Sequence, residues 1–185
     1  MRTSPRRESI ELRRPVSALQ VPSGYEITLE EGWRGHLVQQ LGSSFTVYID
    51  GSLFRIDGVD ADAIGKEPTA RKVYPEHPTD DEVRALVWDE LRDVYDPEIP
   101  FSIVELGLVY VCELSPSSTG DALNVLVKMT VTAAGCGMGE QMIEEVADRL
   151  TRIPRVDEVK VDLVFEPMWD RSMMSETARL QLGMM

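Results

Sequence analysis

The sequence predicts an α/β fold in which a small mixed three-stranded sheet with covering helices follows a small β-rich N-terminal domain. Residues 123–132 form an apolar, β-branched run that suits a largely buried strand. Apolar residues recur at helical spacing on both sides of this run, over 83–94 and 142–150. Short strand-like runs separated by turn residues occupy the first third of the chain.

The N-terminal domain is predicted to contain about four short strands. Asp50-Gly51 separates two of them and is a strong hairpin signal. The acidic segment 57–65 has the composition of a calcium loop, but Ile64 stands where the third oxygen ligand belongs, so we interpret it as a turn-rich loop. The predicted strands cover residues 25–29, 37–41, 45–50 and 52–56.

Composition sets the domain boundaries. Residues 1–14 hold five Arg and two Glu, a net charge of +3, so we expect residues 1–15 to form a basic, disordered arm. Residues 16–66 form the β-rich domain. Residues 67–78 contain Pro68, Pro75 and Pro78 and have the composition of a linker. Residues 79–185 form the α/β domain.

The charge of the chain limits its partners. The formal net charge is -13, which argues against a nucleic-acid-binding surface. No apolar stretch follows the arginine pairs of the N-terminal arm, as an export signal would require, and none is long enough to span a bilayer. We therefore expect a cytoplasmic protein that binds neither nucleic acid nor membrane.

The α/β domain has clear start and stop signals. Thr79-Asp-Asp-Glu82 is a capping-box pattern, and the helix that it opens is expected to end before Asp96-Pro97. Two prolines make residues 96–100 irregular. The elements expected after them are strands over 103–114 and 123–132, a helix after Cys136, a strand over 156–165 and a short helix from Ser175.

The chain is organised around Cys136, which follows the apolar strand and opens the next helix. Gly135, Gly137 and Gly139 permit a sharp turn that Thr132 introduces. Free backbone N–H groups and the helix dipole would favour the thiolate. A lone cysteine usually packs as a small apolar residue, but a core position needs no glycine-rich turn, so the pattern favours a functional thiol.

The other cysteine is predicted to be structural. Cys112 alternates with Leu108 and Tyr110 along a predicted strand, which indicates packing. In the predicted hairpin it lies too far from Cys136 for a disulfide, which fits a reducing compartment.

The sequence lacks the other residues that enzymes with a catalytic cysteine need. Met142 occupies the position where a cysteine phosphatase needs Arg, and Gly139 the position where a thioredoxin-like site needs a second Cys. His36 and His77 both lie outside the α/β domain, which argues against a cysteine hydrolase.

Five ordered blocks occur within residues 80–183: Asp96-Pro-Glu-Ile-Pro100, Glu105-Leu-Gly-Leu-Val-Tyr110, Met129-Thr-Val-Thr-Ala-Ala-Gly-Cys136-Gly-Met-Gly139, Glu166-Pro-Met-Trp169 and Met174-Ser-Glu-Thr-Ala-Arg-Leu-Gln-Leu-Gly183. Together they resemble the SufT-like iron–sulfur cluster assembly family. Residues 40–45 and 55–65 look like the N-terminal extension of SufT-type members. Ser102, Ala134 and Met168 depart from the family pattern. These departures bear on the shape of the loops and on the choice of partner more than on the class of protein.

The resemblance implies a non-catalytic role in maturing iron–sulfur proteins, as a carrier, scaffold or adaptor. The implied partners are apo iron–sulfur client proteins and the cluster assembly machinery. Cys136 matches the functional cysteine of the family, and Asp96 and Glu98 match the acidic loop near it.

Ligand number limits how a cluster could be held. A cluster usually takes four thiolates, and this chain offers one plausible sulfur. We therefore expect iron or an iron–sulfur cluster to be bound transiently and shared between two chains or with a client. Glu98, Asp96 or a small thiol would complete the shell, and a homodimer is implied. The isolated protein could also hold none.

Two alternatives stay open. The first is a metal-free docking adaptor whose partner surface includes Met138, Trp169 and Met174, although core packing is the more common role of such methionines. The second is a thiol redox sensor that uses Cys136.

Overall fold

The computed structural model describes residues 8–21, 23–70, 72–96, 99–132 and 138–183. The chain divides into two units, Met1–Lys72 and Val73–Met185. The division between Lys72 and Val73 falls inside the segment that the sequence indicates as a linker.

The first unit contains an antiparallel sheet of six strands. Its spatial order is β1-β4-β5-β6-β2-β3, and neighbouring strands run antiparallel throughout. Side chains alternate between the two faces of a strand, so Val47, Ile49 and Phe54 point into one apolar core. The strands are β1 (Glu8–Glu11), β2 (Val16–Val21), β3 (Glu26–Leu29), β4 (Arg34–Leu41), β5 (Ser44–Ile49) and β6 (Ser52–Asp57).

The prediction of a disordered arm over residues 1–15 is wrong from residue 8 onward. Residues 8–11 form β1, which pairs with β4, and Ile10 and Leu12 are buried in the core of the first unit. These two apolar side chains contribute enough burial to order a segment that its charge alone would leave solvated. Strand β2 was also absent from the sequence-based prediction.

Arg14 pairs with the carboxylates of the acidic segment that follows β6. Residues Gly58–Ile64 form a 3-10 helix. The Arg14 guanidinium donates to Asp60 Oδ1 at 2.8 Å and to Asp62 Oδ2 at 2.7 Å. The hydrogen bond from Arg14 lowers the pKa of the Asp62 carboxyl below its usual value. The carboxylates of this segment thus pair with an arginine, in agreement with the interpretation against a calcium loop.

The second unit is an α/β layer structure. Strand β7 pairs antiparallel with β8, and β8 pairs parallel with β9, so the sheet is mixed and three-stranded, as the sequence predicts. Its elements are α1 (Asp80–Arg92), β7 (Val109–Pro116), β8 (Leu123–Met129), α2 (Met138–Thr151), β9 (Val156–Leu163) and α3 (Glu176–Gln181).

Helices α1 and α2 cover one face of this sheet. Val83, Val87 and Leu91 of α1 share one buried cluster with the inward side chains of β8. The capping box at the start of α1 is present: Thr79 accepts from the Glu82 N–H, and the Glu82 carboxylate accepts from the Thr79 N–H at 2.7 Å. No helix in the part of the chain that the structure describes is both long and apolar enough to cross a membrane.

The strand predicted over 103–114 begins later than expected. The chain turns at residues 103–107, where Leu108 N–H donates to Ile103 O, and only Val109–Pro116 is a strand. Gly107 has a φ of +69°, a left-handed conformation that glycine adopts without strain. A Cβ at this position would meet the Met173 carbonyl oxygen at less than contact distance. The spacing of Ile103, Leu106 and Leu108 therefore reflects a buried turn.

Gly107→Ala is expected to destabilise the second unit more than Gly120→Ala does. Both glycines have a positive φ, which costs an alanine about 1–2 kcal/mol, but the space around Gly120 is open. At Gly107 the new Cβ would also displace the Met173 backbone, so the total loss in the free energy of unfolding should be roughly 3 kcal/mol. Urea unfolding of both variants measures the difference, and equal losses of stability would contradict the packing seen here.

Candidate functional site

The candidate site lies at the edge of the second sheet where the parallel strands β8 and β9 end. Val164 N–H donates to Met129 O at 2.8 Å, so the chain after β9 stays beside the end of β8. Residues 130–132 leave β8 at this edge, and Thr130 N–H donates to Leu108 O at 2.9 Å. In open α/β sheets, the carboxyl ends of parallel strands are a common place for functional loops.

The start of α2 returns to the same edge. A Cβ on Gly139 would lie 3.3 Å from Val131 Cγ1 and 3.5 Å from Leu163 Cδ2. Glycine therefore lets the helix backbone pack closely against the ends of both strands. Thr132 and Gly139, which flank the predicted cysteine turn, thus both belong to this edge of the sheet.

Asp96 is the buried polar group of the site. Its side chain is 2% exposed. The carboxylate accepts a hydrogen bond from the Ile99 N–H at 2.8 Å and one from Thr132 Oγ1 at 3.1 Å. The Asp96 N–H donates to Phe101 O at 3.0 Å. One carboxylate therefore connects the segment after α1 to the segment after β8.

Several predicted site residues lie outside the described residues. These are Glu98, Gly135, Cys136 and Gly137, together with the side chain of Met138. Among the residues that the structure describes, His, Cys, Asp and Glu side chains form no group of three or more that could hold a metal ion. The predicted ligand role of Cys136, Glu98 and Asp96 stays a prediction.

The structure describes two of the predicted partner-surface residues, Met174 and Trp169. The inclusion of Met174 was wrong, because its side chain is 3% exposed and packs in the core of the second unit. It directly precedes Ser175, which caps α3, so the turn into the helix points it inward. Trp169 is half-buried, and its indole Nε1 donates to Leu106 O at 2.7 Å.

Sequence reasoning missed the exposed residues beside the site. Phe165 and Met168 are 53% and 83% exposed and follow β9. The hydroxyl of Tyr110 donates to Pro167 O at 2.9 Å, and so helps to fix this segment.

Cys112 has the structural role that its spacing predicts. It is a free cysteine on β7, pairs in register with Val127 and packs against the core. Burial raises the pKa of its thiol to about 11. The thiol is therefore protonated at neutral pH and is a poor nucleophile and metal ligand.

The fold is that of an α/β domain whose candidate site contains a buried carboxylate and lies at the edge from which the chain continues toward Cys136. Comparison with known proteins extends this description. The family described as iron–sulfur cluster assembly protein matches residues 84–162, within the second unit.

Relatives match over most of their own length. A protein of Porphyromonas gingivalis named Fe-S protein maturation auxiliary factor is 43% identical over 93 residues, which are 50% of this chain and 84% of that protein. The Fe-S protein maturation auxiliary factor SufT of Staphylococcus aureus is 39% identical over 90 residues, which are 49% of this chain and 97% of that protein. A crystal structure of a domain of unknown function from Bacillus anthracis is 33% identical, with a TM-score of 0.47, and the match covers 57% of this chain and 95% of that one.

The chain belongs to the SufT-like family of iron–sulfur cluster assembly proteins. This confirms the resemblance that the five sequence blocks carry.

Alkylation of Cys112 is expected to be slow and steeply pH-dependent. With a pKa of about 11, roughly 0.1% of the thiol is ionised at pH 8, and the rate should rise about tenfold per pH unit from pH 8 to 10. Iodoacetamide labelling of a Cys136→Ser variant, followed by mass spectrometry, measures this rate. The urea-unfolded variant is the control, because its rate should level off above about pH 9. A folded-state rate that also levels off there would contradict the burial of Cys112.

Thr132→Val is expected to destabilise the second unit, because it removes the hydroxyl that donates to Asp96. Hydrogen bonds to charged groups contribute about 1.5–3 kcal/mol, and we expect the lower end because Asp96 keeps the bond from Ile99. Thr132→Ser retains the donor and should cost less than about 0.5 kcal/mol. Urea unfolding compares the two, and equal losses would argue against this hydrogen bond.

Proposed function

We propose that this protein is an auxiliary maturation factor that carries iron or an iron–sulfur cluster through Cys136 and delivers it to apo-proteins. The relatives named as maturation auxiliary factors support a non-catalytic assembly role. The observation that carries the proposal is the buried Asp96 carboxylate, which is hydrogen-bonded to Thr132, the described residue closest in sequence before the cysteine turn.

Asp96 acts in this proposal as a positioning residue. Its carboxylate already accepts hydrogen bonds from Ile99 and Thr132, so its two oxygens are used within the chain. A carboxylate held in this way fixes the start of both loops that carry the predicted ligands Glu98 and Cys136. Glu98 is then the better candidate for an oxygen ligand from the acidic loop.

One chain has too few cysteine thiolates to hold an iron–sulfur cluster by itself. A cluster usually takes four thiolates, and the Cys112 thiol is protonated and packed at neutral pH. One chain thus contributes Cys136 alone among sulfur ligands of the cysteine type. Two chains pairing their Cys136 residues, or one chain together with a client, complete the shell. Incomplete ligation suits transfer, because a full set of protein thiolates would retain the cargo.

Anaerobic reconstitution with iron and sulfide tests the proposal. Wild type should bind iron and show a sulfur-to-iron charge-transfer band, and Cys136→Ser should lose both. Cys112→Ser is the matched control, because it removes the other cysteine and should leave iron binding unchanged. Iron counting and absorption spectra measure the outcome.

The outcomes separate the candidate functions. Iron in wild type and in Cys112→Ser, but not in Cys136→Ser, supports the carrier. Equal iron in all three proteins contradicts Cys136 as the ligand. If none of the three retains iron, the carrier is overturned in favour of the metal-free adaptor, and reversible oxidation of Cys136 by peroxide would then indicate the redox sensor.

A further inference from the structure

Two apolar side chains project from the segment that follows β9. Phe165 and Met168 lie three positions apart and are 53% and 83% exposed. We call residues 165–170 the 165–170 segment. Grouped exposed apolar side chains with polar neighbours are typical of protein interaction sites.

The exposure of Met168 is fixed by its neighbours. Pro167 O accepts a hydrogen bond from the Tyr110 hydroxyl at 2.9 Å. On the other side, the Trp169 indole donates to Leu106 O at 2.7 Å. Both residues that flank Met168 are therefore attached to the body of the second unit. The backbone that carries Met168 is thus already ordered, so a partner that binds here need not pay the cost of ordering it.

The 165–170 segment lies at the same edge of the sheet as the candidate site. The hydrogen bond from Val164 to Met129 places the start of the segment beside the end of β8, and residues 130–132 continue from there toward Cys136. Leu163, two residues before the segment, lies next to the start of α2 at Gly139. A protein that contacts Phe165 and Met168 thus approaches the edge from which the cysteine turn departs.

Charge indicates the chemistry of the partner. Residues 73–185 hold nine basic and twenty-two acidic residues, a net charge of -13, whereas residues 1–72 hold ten of each. Glu166 and Asp170 are both exposed within the 165–170 segment. Hydrogen bonding from Ser172 lowers the pKa of the Asp170 carboxyl, so this charge persists in mildly acidic solution. An anionic surface of this kind attracts a cationic partner and accelerates the encounter.

We propose that the 165–170 segment docks the protein that supplies or receives the cargo of Cys136, by binding a cationic segment of that protein that also carries an apolar side chain. Phe165 and Met168 bind the apolar side chain, and Glu166 and Asp170 pair with the flanking basic residues. The identity of the partner as a cargo-exchanging protein rests on the proposed function, whereas the binding chemistry does not.

The test uses a fluorescent synthetic peptide with lysine and leucine at helical spacing as the probe, and the same peptide with glutamate in place of lysine as its counterpart. Fluorescence anisotropy with the full chain measures both affinities. The lysine peptide should bind, and its affinity should fall as salt is raised. The double variant Phe165→Ser, Met168→Ser should bind it at least tenfold more weakly, although its net charge is unchanged.

Two further variants serve as controls. Val73→Ser removes an apolar side chain that is 92% exposed elsewhere in the second unit and should bind the peptide like wild type. Glu166→Lys should weaken binding of the lysine peptide and strengthen binding of the glutamate peptide. It reports on the surface independently of the double variant, should that variant fold poorly.

Three results would overturn the docking proposal. The first is that the double variant and Glu166→Lys both bind the lysine peptide like wild type, and the second is that wild type binds the two peptides equally well. The third is that wild type is a dimer whereas the double variant is a monomer. The last result would mean that a second copy of this chain covers the surface. Iron reconstitution of the double variant separates this proposal from the proposed function. The double variant should retain iron like wild type, so lost peptide binding with retained iron supports docking alone.

Discussion

One buried carboxylate connects distant parts of the second unit. Asp96 follows α1, and its hydrogen bonds with Ile99 and Thr132 join the segment after that helix to the residues that follow β8. Burying a carboxylate costs free energy unless hydrogen bonds replace those it made with water. Asp96 can therefore be buried only where Ile99 and Thr132 lie within hydrogen-bonding distance of it. The sheet supplies the fixed edge, because β8 and β9 end together there. The arrangement of the candidate site follows from these two constraints.

The parts of the fold that local chemistry specifies could be predicted from the sequence. The capping box at Thr79 and Glu82 fixes the start of α1, and the β-branched run before Thr130 becomes β8 at the centre of the sheet. In both cases, the determining residues are neighbours in sequence. Asp96 and Thr132 were named from sequence for other roles, as a candidate ligand and as part of the cysteine turn, and their hydrogen bond across 36 positions was not predicted.

The parts of the fold that could not be predicted from the sequence depend on contacts between residues that are far apart in the chain. Residues 8–11 are ordered because they pair with β4, and Arg14 is held by two carboxylates more than forty positions away, so local charge indicated disorder. Gly107 turns the chain where alternation of apolar residues indicates a strand, because the Met173 backbone packs against it. Met174 is buried and Met168 exposed for a similar reason. Met168 lies between two residues that hydrogen-bond to distant parts of the chain, Pro167 to Tyr110 and Trp169 to Leu106, whereas Met174 packs in the core beside the start of α3.

In the docking proposal, selectivity and speed of association have different origins. The acidic charge of the second unit acts over about a Debye length, roughly 8 Å at physiological salt, so it would accelerate encounters with many basic proteins without distinguishing among them. Phe165 and Met168 would act only at contact, where shape distinguishes partners. If the protein is the carrier proposed above, it must also release both cargo and partner, and a small apolar anchor beside an incomplete ligand set would suit such release.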